Sequence, residues 1–337
     1  MIRISSSIVF CKQGGGVCNG NLRPLVDFPG GLNMEYPLFR KDKVVFVVGA
    51  TGTGKSRLAI DLATRYPAEI VNSDKMQVYK GLDIVTNKVT EEECRGVPHH
   101  LLGIIDPNTN FTANDFLHHA PITMESITNR DRLPIIAGGS NSYIAALVNH
   151  HAEFRMKYDF CCIWVDVSLN VLRSFISDRV DRMVEAGLVD EVRKMFDSKA
   201  DYSRGIRCAI GVPELDKYLR VESIVDGRTR ARLLKEAIVK IKENTCMLAC
   251  RQLEKIRRLE SQWEWNMHRL DATEVFLKRG KEADDAWENL VAGPSSMIVR
   301  QFLYNEDRMP TIVSQEVVAA AILASPVPLG AVATISR

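Results

Sequence analysis

Gly49-Ala50-Thr51-Gly52-Thr53-Gly54-Lys55-Ser56 decides how the rest of the chain is read. The stretch matches G-x-x-x-x-G-K-[ST], and its flanks have the character that the motif requires. Before it, Lys43-Val44-Val45-Phe46-Val47-Val48 is apolar without alternation, which predicts a parallel strand buried on both faces. After it, Ser56–Arg65 has helical spacing, with Leu58, Leu62 and Arg65 on one side. The glycines let backbone wrap a phosphate closely. Loop amides and the helix N-terminus supply positive potential. Lys55 adds a point charge, and the Ser56 hydroxyl is available to a magnesium ion. A glycine-rich turn with no ligand has no need of both a strand before it and a helix after it. The chain is therefore expected to bind a di- or triphosphate. The loop alone names neither the compound nor its fate.

Working outward, strands are expected at Glu69–Asn72, Leu133–Ala137 and Cys161–Val167. Helical patterns lie between or after them, at Ala113–Asn129, Ser142–Asn149 and Val171–Phe196. Alternation of this kind predicts an α/β fold with a parallel sheet flanked by helices, its ligand beyond the carboxyl ends of the strands. Arg228–Leu259 has no glycine or proline, and its apolar residues recur at three- and four-residue spacing. It predicts one long helix, or two with a break near Asn244-Thr245. With Val171–Phe196 it forms an expected helical subdomain at roughly 171–260. Arg251, Lys255, Arg257 and Arg258 give that helix a basic side, which solvent alone can account for.

Several residues past strand ends carry candidate chemistry. Asp74 follows the second strand, where a carboxylate can bind magnesium, accept a proton or cap a helix. Gly138-Gly139-Ser140-Asn141-Ser142 opens a helix and offers backbone and hydroxyl donors near an anion; Ser140 or Ser142 serves equally as a helix cap. Ile163-Trp164-Val165-Asp166 matches the end of a Walker B strand, a short and weak pattern. Arg204 and Arg207 lie in a loop, where arginine either pairs a phosphate or faces water.

Taken in order, these segments resemble isopentenyltransferases. The resemblance rests on Gly49–Ser56, Asn72–Ile84, Gly96–Gly103, Ala137–Ser142, Gly205–Glu214 and the pattern from Asn244-Thr245 to Lys255-Ile256. It covers roughly residues 40–305 and is similar to the plant adenylate isopentenyltransferases of cytokinin synthesis. The resemblance implies a P-loop NTPase-like fold whose loop, Gly49, Ala50, Thr51, Gly52, Thr53, Gly54, Lys55 and Ser56, holds the diphosphate of dimethylallyl diphosphate. It also implies magnesium at Ser56, Asp74 as the base that takes a proton from the adenine N6 amine, and Arg207 on the leaving diphosphate. Ser140 lines the same site. The implied acceptor is a free adenine nucleotide, ATP or ADP before AMP. The segment His150–Lys157 looks shorter than in many relatives, and the alanine-rich stretch after Arg308 has no counterpart among them.

Composition bounds the alternatives. Forty-four basic and 42 acidic residues leave a net charge of +2, weaker than a dedicated nucleic-acid binder carries. A tRNA-modifying relative also tends to carry a C-terminal Cys/His zinc finger; here no cysteine follows Cys250 and only His268 lies beyond it. A small-molecule kinase has no reason to carry both Asn72–Ile84 and Gly205–Glu214. A nucleotide switch needs a base-reading motif, and Thr86-Asn87-Lys88-Val89 lacks its acid. No pair among the eight cysteines is spaced C-x-x-C, which speaks against a zinc ribbon, and scattered thiols suit a reducing compartment. Three adjacent histidine pairs are poorly disposed to share one metal.

The ends read as separable. Residues 1–35 hold Arg3, Lys12 and Arg23 and no acid before Asp27, the composition of an organellar transit peptide, with a glycine-rich leader as the alternative. A plastid is expected, with mitochondrion or cytoplasm as alternatives. Val317–Ser336 is apolar and uncharged but interrupted by Pro326, Pro328 and Gly330, so residues 309–337 read as a loose tail and no membrane partner is expected.

Overall fold

The computed structural model describes residues 41–151, 153–262 and 267–304; the proposed leader and the apolar tail lie outside these. The expected glycine-loop flanks form as strand β1 (Asp42–Val48) and helix α1 (Lys55–Arg65). Next come β2 (Ala68–Asn72), the short β3 (His99–His100), α2 (Ala113–Thr128), β4 (Leu133–Ala137), α3 (Asn141–His150), α4 (Phe154–Lys157) and β5 (Tyr158–Asp166). Helices α5 (Leu169–Glu185), α6 (Leu188–Lys194), α7 (Val212–Val221) and α8 (Gly227–Gln262) then succeed one another. Strand β6 (Met267–Asp271) and helices α9 (Thr273–Leu277), α10 (Gly280–Trp287) and α11 (Gly293–Tyr304) follow, α10 and α11 joined by a π-helical turn at Glu288–Ala292.

The sheet is parallel and six-stranded, in the order β3-β2-β4-β1-β5-β6. Apolar residues of β1 alternate between its two faces: Val44, Phe46 and Val48 join one core, Val45 and Val47 the other. That is why the strand reads as a continuous hydrophobic run. The order has a direct consequence for function. β4 lies between β1 and β2, so its carboxyl end, Gly138-Gly139, sits between the glycine loop and Asp74.

Two helical expectations change in detail. The pattern at Val171–Phe196 is two helices, because Gly187 adopts φ 104° and ends the run. The long helix α8 runs unbroken through Asn244-Thr245. Polar side chains there find partners that leave the helix intact: Asn244 Nδ2 donates to Glu214 Oε1 at 2.6 Å, and the Thr245 hydroxyl donates back to the Ile241 carbonyl at 2.7 Å. Among the described residues, no helix is long and apolar enough to cross a membrane. Neither strand β3 nor β6 is foreseen by periodicity: the first has two residues, and the second is an edge strand whose residues are half-buried or exposed.

Candidate active site

The glycine loop closes on itself. The Lys55 ammonium and the Thr53 hydroxyl both donate to the Ala50 carbonyl, at 2.8 and 3.0 Å. Gly54 has φ 93°, and a side-chain carbon there would lie 2.8 Å from the Trp287 ring, so both conformation and space demand glycine. Trp287 is buried, donates its Nε1 proton to Asp61 of α1 at 2.7 Å, and is covered by the Arg57 guanidinium 4.7 Å from the ring centroid. Arg95 holds the other Asp61 oxygen at 2.9 Å. The C-terminal helices thus brace the loop from behind.

Burial pushes the Lys55 ammonium down to about 8; nearby Asp74 opposes that shift and Arg179 adds to it. Arg179, from α5, donates Nη2 to the Thr51 hydroxyl at 2.9 Å. Its own ionisation is lowered to about 10, first by burial and then by the neighbouring Arg182. Gln252, from α8, accepts from the Thr51 amide at 2.7 Å and donates to the Gly139 carbonyl at 2.9 Å. One buried side chain therefore fixes the spacing between the phosphate loop and the Gly138-Gly139 turn.

Asp74 stands at that turn. Its Oδ1 accepts from the Met76 amide at 2.9 Å, and the Asn72 side chain holds its backbone on both sides. A carbon added at Gly139 would sit 2.7 Å from Asp74 Oδ2, so this turn must be glycine for the carboxylate to stand there. Oδ2 keeps no hydrogen-bond partner among the described residues, which leaves one oxygen to cap a turn and one to accept a proton. Ser140 caps no helix with its side chain; its hydroxyl accepts from the Lys75 amide at 2.8 Å and so fixes the segment that carries Asp74.

Asp74 borders two cavities. One, of about 550 Å³, is lined by the glycine loop, Lys55, Ser56, Phe175, Phe276 and Trp287. The other, of about 580 Å³, is lined by Ser140, Ser142, Leu248, Arg251, Lys255 and Arg258. Thr51, Asp74, Gly139 and Arg179 belong to both. Of the expected basic face, Arg257 alone stays outside the second cavity.

Two expectations place differently. Arg207 lines neither cavity; it sits in a 3-10 turn (Gly205–Cys208) with its guanidinium on Asn108. Arg179 is the arginine that reaches the loop. Asp166 is not an open Walker B acid, since Arg269 of β6 donates to its Oδ2 at 2.6 and 2.9 Å. Arg179, Gln252 and Trp287 carry the site without a local sequence signal for their roles. Gln252 does stand in the quoted pattern from Asn244 to Ile256, and that was the available hint.

No group of three or more His, Cys, Asp or Glu side chains that could hold a metal occurs among the described residues. The Ser56 hydroxyl is exposed at the start of α1 and lines the first cavity. That donor set suits magnesium, which keeps several waters and takes most other ligands from a bound diphosphate.

Comparison with known proteins agrees with this architecture. The IPP transferase model matches residues 77–156 and 148–259, and the chain belongs to that family. Within it, the chain is 62% identical over 322 residues to adenylate isopentenyltransferase 5, chloroplastic, of Arabidopsis thaliana, covering 94% of this chain and 97% of that protein. It is 58% identical to adenylate isopentenyltransferase 7, mitochondrial, of the same plant, covering 86% and 89%. The fold is that of a eukaryotic dimethylallyltransferase acting on tRNA, with a TM-score of 0.67 at 22% identity over 84% of each chain.

Proposed function

We propose that this chain transfers the dimethylallyl group of dimethylallyl diphosphate to the N6 amine of a free adenine nucleotide, with ATP and ADP preferred to AMP. The observation that carries this reading is the free Oδ2 of Asp74 at the meeting of two cavities, one built for a diphosphate and the other ending in Arg251, Lys255 and Arg258.

The donor diphosphate lies in the glycine loop, against the loop amides, Lys55 and Arg179. Magnesium, when bound with the donor at Ser56, neutralises part of its charge. The N6 lone pair attacks the allylic C1 from the second cavity. The C1–O bond breaks, and its electron pair leaves with the diphosphate. Charge therefore builds on the leaving oxygen, where Lys55 and Arg179 stand ready in a partly dry site. The N6 proton passes to Asp74 Oδ2. An allylic carbon with cationic character is quenched by water, and the Phe175 and Phe276 rings, packed edge to face at 4.7 Å between centroids, wall the donor cavity against it. Arg251, Lys255 and Arg258 meet the acceptor's phosphates through charge-assisted hydrogen bonds.

Labelled dimethylallyl diphosphate, magnesium and AMP, ADP, ATP or tRNA, with products identified, test the reading. Prenylated ATP and ADP are expected, at higher kcat/KM than AMP. Efficient labelling of tRNA, or preference for AMP, overturns the acceptor assignment. The net charge of +2 already fits one nucleotide better than the many phosphates of a folded RNA. A plastid location is proposed from the leader's composition and the chloroplastic relative. A fluorescent fusion of residues 1–40 is expected to enter plastids, and diffuse cytosolic signal refutes it.

A further inference from the structure

We propose that Arg179 and Arg182 form a second anion site, beside the glycine loop, which takes the inorganic diphosphate released by transfer and passes it to solvent. The proposal rests on the reading of the loop as the donor diphosphate site.

A third cavity, of about 690 Å³, runs along α5 and is lined by Lys80, Arg179, Arg182 and Met183. It shares Asn87, Val89, Glu93, Leu102 and Arg179 with the donor cavity, so the two abut. Arg179 and Arg182 are three residues apart on one helix and so face the same way. Neither forms an ion pair among the described residues. Arg179 spends one hydrogen bond on Thr51, while its Nε is buried with no partner. Arg182 is exposed and rests over the Phe175 ring, 5.4 Å from its centroid. Two adjacent guanidiniums with no ion-pair partner among the described residues are an unfavourable arrangement, relieved by a multivalent anion. Inorganic diphosphate fits: it presents two phosphoryl groups, each able to take a guanidinium fork.

The chemistry gives such a site a use. Once transfer is complete, prenylated nucleotide fills the acceptor cavity, and diphosphate remains among the loop amides, Lys55 and Arg179. Arg179 touches the loop and also lines the third cavity, so it can keep hold of the anion while Arg182 replaces the loop's contacts. Glu91, which lines this cavity and not the donor cavity, keeps the second site weak and favours departure. Diphosphate thus has a way out that does not wait for the nucleotide.

Calorimetric titration of the full chain with diphosphate and magnesium tests this without requiring transfer. Two binding events are expected in the wild type, a tight one at the loop and a weaker one at Arg179 and Arg182. Arg182→Gln is expected to weaken the second event by about tenfold or more and spare the first, as the loss of one charge-assisted contact implies. Arg182→Lys, which keeps the charge, retains part of it. Lys55→Met removes the tight event instead. In Arg182→Gln, steady-state turnover is also expected to fall relative to the single-turnover rate, because release follows chemistry. A single event in the wild type, or an unchanged weak event in Arg182→Gln, overturns the exit site. Two events in a chain that transfers no prenyl group overturn the proposed function and leave the anion site standing.

Discussion

Asp74→Asn is expected to lower the single-turnover rate of prenyl transfer by about 10²–10⁴, the usual loss when a general base is removed. The substitution suits the local structure unusually well. Asp74 Oδ1 accepts from the Met76 amide, and an asparagine carbonyl takes over that bond. The amide nitrogen then occupies the place of Oδ2, beside Gly139, where it can donate but cannot take a proton. Backbone bonds to Asn72 and the Ser140 clamp on Lys75 are untouched. Folding and donor affinity are therefore expected to stay near wild type, the latter measured by titration with the diphosphate donor. Transfer within a fewfold of wild type would show that the N6 proton goes elsewhere, and a lost donor affinity would make Asp74 part of the diphosphate site instead.

How far the sequence reaches follows from which partners are local. The glycine loop, its strand and its helix are contiguous, so their roles are legible from a single stretch. Asp74 is legible as a position but not as a choice between cap and base; in the structure Oδ1 takes the Met76 amide, and Oδ2 has no hydrogen-bond partner among the described residues. Gln252 and Arg179 are different. Their partners in the loop lie 201 and 128 residues away, and no periodicity records such a contact. Trp287 belongs with them: only the packing of the C-terminal helices on α1 reveals that it sets the size limit at Gly54. Asp166 misleads for the same reason, since the arginine that occupies it arrives on an edge strand with no pattern of its own. Arg207 has the right neighbours in sequence, yet its 3-10 turn directs it to Asn108.

Lys55→Met is expected to make the protein more stable and a much poorer binder of the donor. Burial is the first cause of the lowered lysine ionisation, from 10.5 to about 8, and such a depression corresponds to about 3 kcal/mol of strain at neutral pH. The sign follows from proton counts. Between about 8 and 10.5 the unfolded chain keeps a proton on this lysine that the native chain has released. The group's penalty is thus full below pH 8 and fades as pH rises toward 10.5. Methionine fills the same space without the charge, so Lys55→Met is expected to melt at a higher temperature than wild type at pH 7, with the advantage shrinking in alkaline buffer. Function moves the other way. On the proposed reading the ammonium meets the donor diphosphate, and removing one such donor from a partly dry site is expected to cost about 10²-fold in transfer. In the wild type, kcat/KM for the donor is expected to fall above about pH 8, as the free enzyme's lysine loses its proton, and Lys55→Met lacks that limb. A variant that melts lower and binds donor normally would mean that Lys55 supports the loop and does not serve the diphosphate. A buried cation is strained until an anion meets it, so on the proposed reading the stability gained by its removal measures how strongly the loop is poised for its donor.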